Sequence, residues 1–205
     1  METYCAAGFT AWPTGPSGGR FLALSGQMPG ADVGTAMAVI FTYNNIGAEP
    51  AVGLDAALLD RHVAETGALT APGGLRFRDT ATNTEVVPGC CVGLERWRDW
   101  HGVLRGEEPW LGHSPAPWLE RSGGILRLGQ DEDDRDASPA TVQISVADLP
   151  RLLAGAQHQL RGFLGIVPHW AAQVVPQLSA GLVAALDDQF AINHPPRLRG
   201  DRRLG

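Results

Sequence analysis

The chain has 205 residues, 44% of them apolar and 19% charged, a globular composition that excludes a wholly disordered polymer and suits one main domain. Its net charge of −6 argues against a general phosphate-binding surface, because nucleic-acid affinity comes largely from basic groups that displace counterions. All 16 positive charges are arginine, which reads as high-GC bacterial codon usage; the lack of lysine excludes Schiff-base chemistry and the lysine of a phosphate loop.

No basic, apolar and small-residue sequence of the leader type opens the chain, and no window approaches the ~18 apolar residues of a membrane span. The expectation is a cytoplasmic protein with no membrane and no nucleic-acid partner. Three cysteines, Cys5, Cys90 and Cys91, are an odd number, and two are adjacent, so reduced thiols are expected rather than a disulfide framework.

Residues 1–34 are broken by Pro13, Pro16, Pro29 and many glycines, and read as an N-terminal arm with a short strand at "RFLALSG". "TAMAVIFTYNN" supplies β-branched and aromatic residues from Ala36 to Tyr43, ended by Asn44 and Asn45, and predicts a buried strand. From Val52 to Thr66, Leu54, Leu58, Leu59 and Val63 recur at helical spacing, and Gly67 is a natural terminator. "LRFRDTATNTEVV" predicts a hairpin with Leu75 and Phe77 facing the core.

Residues 89–118, "GCCVGLERWRDWHGVLRGEEPWLGHSPAPW", concentrate four of the six tryptophans. Leu94, Trp97, Trp100 and Leu104 predict one amphipathic helix. Trp110 and Trp118 fall outside that stripe, in a Pro/Gly-rich segment read as an ordered loop. "ILRLGQ" and "ATVQISV" predict a second hairpin around the acidic run "DEDDRD". Asp148, as a cap with Pro150 in the first turn, opens a helix whose stripe runs from Leu149 to Val167, with Pro168 expected to interrupt it. Leu178, Leu182, Leu186 and Phe190 mark a last helix. The fold class is therefore α+β: an antiparallel or mixed sheet of about five strands in hairpins, covered by helices, with a helical C-terminal part. Residues 35–192 form the single domain and 193–205 a basic tail.

Cys90, Cys91, His101 and His113 are the candidate catalytic residues if the protein is an enzyme. The two cysteines precede a helix whose amides can stabilise a thiolate, and either histidine is a candidate base. The same four are zinc-type ligands, but their spacing fits no closed tetrahedral set, and adjacent strand residues point to opposite faces. The expectation is no metal and no cofactor. Ser114 beside His113 lacks a Gly-x-Ser-x-Gly elbow. The acidic run fails as a calcium loop, with Asp136 where glycine is needed and Val142 where glutamate is needed.

The remaining reading is a surface one. Trp110, Trp118 and His113 with Asp131, Asp133 and Asp134 form the candidate contact surface of a protein-binding module. In size and layout the chain resembles small bacterial immunity-type proteins that neutralise toxins, which implies a protein partner and assigns no residue. The alternative is a small Cys/His-dependent enzyme, with or without zinc.

Overall fold

The computed structural model describes residues 1–6, 8–15, 19–46, 56–114, 116–130 and 141–194. Within them the protein is α+β, with five α-helices and five short strands. The strands do not form one sheet. β1 (Phe77–Arg78) and β2 (Glu85–Val86) make a two-residue antiparallel pair, and β3 (Pro117–Ser122), β4 (Ile125–Gln130) and β5 (Thr141–Ser145) make a separate antiparallel sheet in sequence order. The first hairpin is too short to extend a ladder. It packs Phe77 and Val86 onto the second sheet's apolar cluster instead.

The run expected as a strand at 36–43 is helix α1 (Gly30–Tyr43). Every residue from Val33 to Phe41 is buried, so the polar face that reveals a helix in sequence is absent. Asn44 ends it: its side-chain amide donates to Ile40 O and Thr70 O, both at 2.7 Å, and its Oδ1 accepts from Thr70 N. α2 spans Ala56–Thr66, with Leu59 buried and Gly67 terminating it at φ 76°; Val52 and Leu54 lie outside the described residues.

The single helix expected at 94–104 is a 3-10 helix, Leu94–Asp99, followed by one α-helical turn, α3 (Trp100–Val103). With three residues per turn the inward positions become 94, 97, 100 and 103. Val103 is accordingly buried, whereas Leu104 is exposed. Leu94 and Trp97 join the helical core, and Trp100 and Val103 join the sheet core.

α4 (Leu149–Val174) passes through Pro168 rather than stopping there. Proline in a helix interior costs ~3 kcal/mol, and here its ring faces solvent while Val167, Trp170 and Ala171 around it are buried. Burial of that continuing stripe offsets the lost hydrogen bond. Asp148 makes no side-chain cap and pairs with Arg151 instead. Leu149 and Leu153 cover the inner face of the sheet, formed by Leu126, Leu128, Val142 and Ile144, while Leu160 to Ala171 pack with α1 and α5 (Ser179–Phe190). Trp12, from the N-terminal arm, is buried between Phe41 and Trp170 and donates to Gly34 O at 2.8 Å.

Among the described residues no helix is long and apolar enough to cross a membrane.

Candidate functional site

Two loops twenty residues apart in sequence are joined by their backbones. Gly89 N donates to Leu111 O at 2.9 Å, His113 N to Cys90 O at 2.9 Å, and Cys90 N to Ser114 O at 3.3 Å. The approach is so close that a Cβ on Gly89 would lie 2.4 Å from His113 O. Gly112, at φ 90°, faces the same limit, with Cys90 O 2.5 Å from its absent Cβ. Only glycine fits either position.

This double loop fixes Trp110. The indole N–H donates to Cys91 O at 3.1 Å, and the ring meets His113 edge to face at 4.8 Å. Trp110 nevertheless remains 40% exposed. A large aromatic surface is thus presented to solvent with its orientation set. Trp118 is different. It is the second residue of β3, not part of a loop, and is half-buried across Gly129 of β4.

Beneath the double loop is a slot lined by Phe77, Val92, Trp97, Trp100, Trp110 and Leu111, with a volume of about 20 Å³, room for one water molecule and not for a substrate.

The sequence reading placed Cys90 and Cys91 on opposite faces. In the structure they occupy a turn, Cys91 has φ 65°, and the Cys91 thiol lies 3.6 Å from Cys90 Sγ. Cys91 is exposed and Cys90 partly so. The Cys91 thiol is pushed above the ordinary cysteine range, first by its hydrogen bond to Cys90 and then by repulsion from a neighbouring Cys90 thiolate. That direction disfavours a thiolate at Cys91.

His101 belongs to another surface. Its ring meets Trp97 at 6.0 Å on the side of a charged cleft of about 440 Å³, where burial, then Arg98 and Arg105, holds the imidazole below its ordinary range. Glu95 in the same cleft is shifted up by burial, against a hydrogen bond from Ala71 N. The cleft's charges pair among themselves, Arg96 with Asp99 at 2.8 Å and Arg105 with Glu107 at 3.1 Å. Arg98 stacks on Trp97 and donates to the carbonyls of Ala191, Ile192 and His194. The sequence pattern puts Glu95, Arg96, Arg98 and Asp99 on the faces of the predicted helix away from its apolar stripe and does not bring out the cleft; the alternation of charges with tryptophans in "LERWRDWH" was the available signal.

Among the described residues no three His, Cys, Asp or Glu side chains converge as a metal-binding group. Asp131, Asp133 and Asp134 lie outside the described residues. Gln130, the last residue of β4, clamps Val87 through two hydrogen bonds and pairs in register with Pro117, the residue at which the Trp110 loop enters β3. Gln130, where β4 ends, and Pro117, where β3 begins, therefore lie at the same end of the sheet.

Comparison with protein-family models finds no match. Neither the curated proteins nor the solved structures contain one that matches this chain.

Proposed function

We propose that the protein is a binding module for another protein, with Trp110 as the aromatic anchor and the acidic run Asp131–Asp136 as a second, electrostatic contact. The observation that carries this reading is the combination, at Trp110, of 40% exposure with a hydrogen-bonded, ring-packed side chain. An immobilised tryptophan offers large contact area at little further entropic cost, and tryptophan is enriched among residues that dominate binding energy. The run from Asp131 to Asp136 carries five carboxylates and one arginine, so the matching surface is basic. A toxin neutralised by an immunity-type protein is one partner of this kind, in keeping with the resemblance in size and layout.

The test is affinity capture from the native host with wild type and Trp110→Ala as parallel baits, followed by titration of the captured protein at two salt concentrations. The reading requires a partner that Trp110→Ala loses and whose affinity for wild type falls as salt rises. Equal recovery by both baits, with both folded, would remove Trp110 from the function.

A further inference from the structure

We propose that Cys90 and Cys91 form a reversible oxidation site, closing to a disulfide at the expense of a small-molecule disulfide, and that closure displaces the Trp110 anchor. Three observations carry this. The two sulfurs already converge at 3.6 Å, because the left-handed backbone of Cys91 turns both side chains to one side. Both residues are accessible to solvent. Each residue's carbonyl is also committed to the neighbouring loop, Cys90 O accepting from His113 N and Cys91 O from the Trp110 indole.

The chemistry balances within the dithiol and the oxidant. The thiolate of one cysteine attacks a sulfur of the small disulfide, forming a mixed disulfide and expelling one small thiolate. The second cysteine, losing its proton, then attacks the protein sulfur of that bond and expels the other small thiolate. The protein has lost two electrons and two protons, and the small disulfide has become two thiols.

Strain sets the character of the couple. Adjacent Cα atoms stand ~3.8 Å apart across a trans peptide, below the usual disulfide span of ~4.4–6.8 Å. A bond formed there is more reducible than a structural disulfide, which is the property of labile, regulatory bridges. Closure must also draw the sulfurs together by about 1.5 Å, to the ~2.05 Å of a bond. The backbone of the pair has to move, and the carbonyls of Cys90 and Cys91 hold the Trp110 loop.

The experiment titrates the full chain, in a Cys5→Ser background, with glutathione disulfide against reduced glutathione, and reads intact mass, peptide maps and tryptophan fluorescence. The expected product has lost two hydrogens, carries no glutathione, maps to a Cys90–Cys91 link, and reverts on adding reduced glutathione. Its emission change should vanish in Trp110→Phe. Cys91→Ser should stop at a stable glutathione adduct on Cys90. Stable adducts on the wild-type dithiol, or no loss of thiols under excess oxidant, would overturn the site. A clean link without any Trp110 signal would overturn the coupling. No binding partner enters the readout, so failure of the binding reading leaves this result unaffected.

Discussion

Trp118 lies across Gly129: the two are register partners in β3 and β4, and a Cβ on Gly129 would come within 2.3 Å of the indole Cζ2. The ring fills the space left by the missing side chain, a recurrent way of covering a glycine in a sheet. Gly→Ala in a strand is ordinarily favourable, but here Gly129→Ala should destabilise by about 1–3 kcal/mol through overpacking. Chemical denaturation of the single variant, and of Gly129→Ala with Trp118→Val, checks this; the second change should relieve part of the loss.

Trp97 and Trp110 should separate sharply. Trp97 is 1% exposed and its N–H donates to Phe190 O at 2.9 Å. Trp97→Ala should cost about 3–5 kcal/mol, as removal of a buried aromatic does. Trp110→Ala should stay within roughly 1 kcal/mol of wild type, its loss confined to one hydrogen bond and a partly exposed ring. Melting curves recorded side by side decide it; similar losses would place Trp110 in the core.

Leu160, 4% exposed in α4, sits in the helical core. Leu160→Ala is expected to lower stability by ~2–5 kcal/mol with little change in the denaturant slope. A loss of only a few tenths would show that this part of α4 is peripheral.

Gly89→Ala tests the double loop. The added methyl would meet the backbone of His113, which cannot swing aside as a side chain can. The expected outcome is separation of the two loops, seen as faster amide exchange at Cys90 and His113 and a changed Trp110 emission, with α5 unaffected.

Glu95 and His101 give pH dependences of opposite sign. Burial raises the folded-state pKa of Glu95 above that of the unfolded carboxyl (~4.3), so the folded chain holds the extra proton between those values. Stability contributed by the protonated carboxyl is present at lower pH and is lost as pH rises through that interval. Glu95→Gln should therefore gain on wild type as pH increases there, then hold a constant lead. His101, with its pKa lowered first by burial, binds its proton less readily folded than unfolded (~6.5) and so costs stability as pH falls through ~6.5. Denaturation midpoints from acid to neutral pH measure both; a Glu95→Gln lead that shrank with rising pH would contradict the assignment.

Where a segment is half-buried, its sequence declares its structure. Leu178, Leu182, Leu186 and Phe190 are all buried as their four-residue spacing predicts, and Phe77 faces inward as its alternation predicts. α1 was illegible for the opposite reason: buried on every side, it carries no polar face, and its β-branched run resembles a strand. The inward stripe at 94–103 was displaced by a change of helical period that the spacing of tryptophans could also have fitted. The double loop depends on backbone-to-backbone contact between residues 89–90 and 111–114, for which no side-chain pattern exists; Gly89 and Gly112 were its only trace. The convergence of Cys90 and Cys91 rests on one positive φ.

The two apolar clusters share α4, but not along its whole length. Leu149 and Leu153 serve the sheet, Leu160 onward serves the helices, and no residue from 154 to 159 is buried. At ~1.5 Å per residue, about 10 Å of helix between Leu153 and Leu160 spans the gap as a strut without a fully buried side chain, tied by Gln157 Nε2 to Ile192 O at 2.6 Å. Melting cooperativity along α4 is then a matter of rod stiffness, set by the backbone hydrogen bonds of that strut. Gly155, where an added Cβ would meet nothing outside its own helix within 4 Å, is its softest point. Stiffening with Gly155→Ala should draw the two halves of the molecule into a sharper common transition, and a second glycine there should let the sheet loosen while the helices hold.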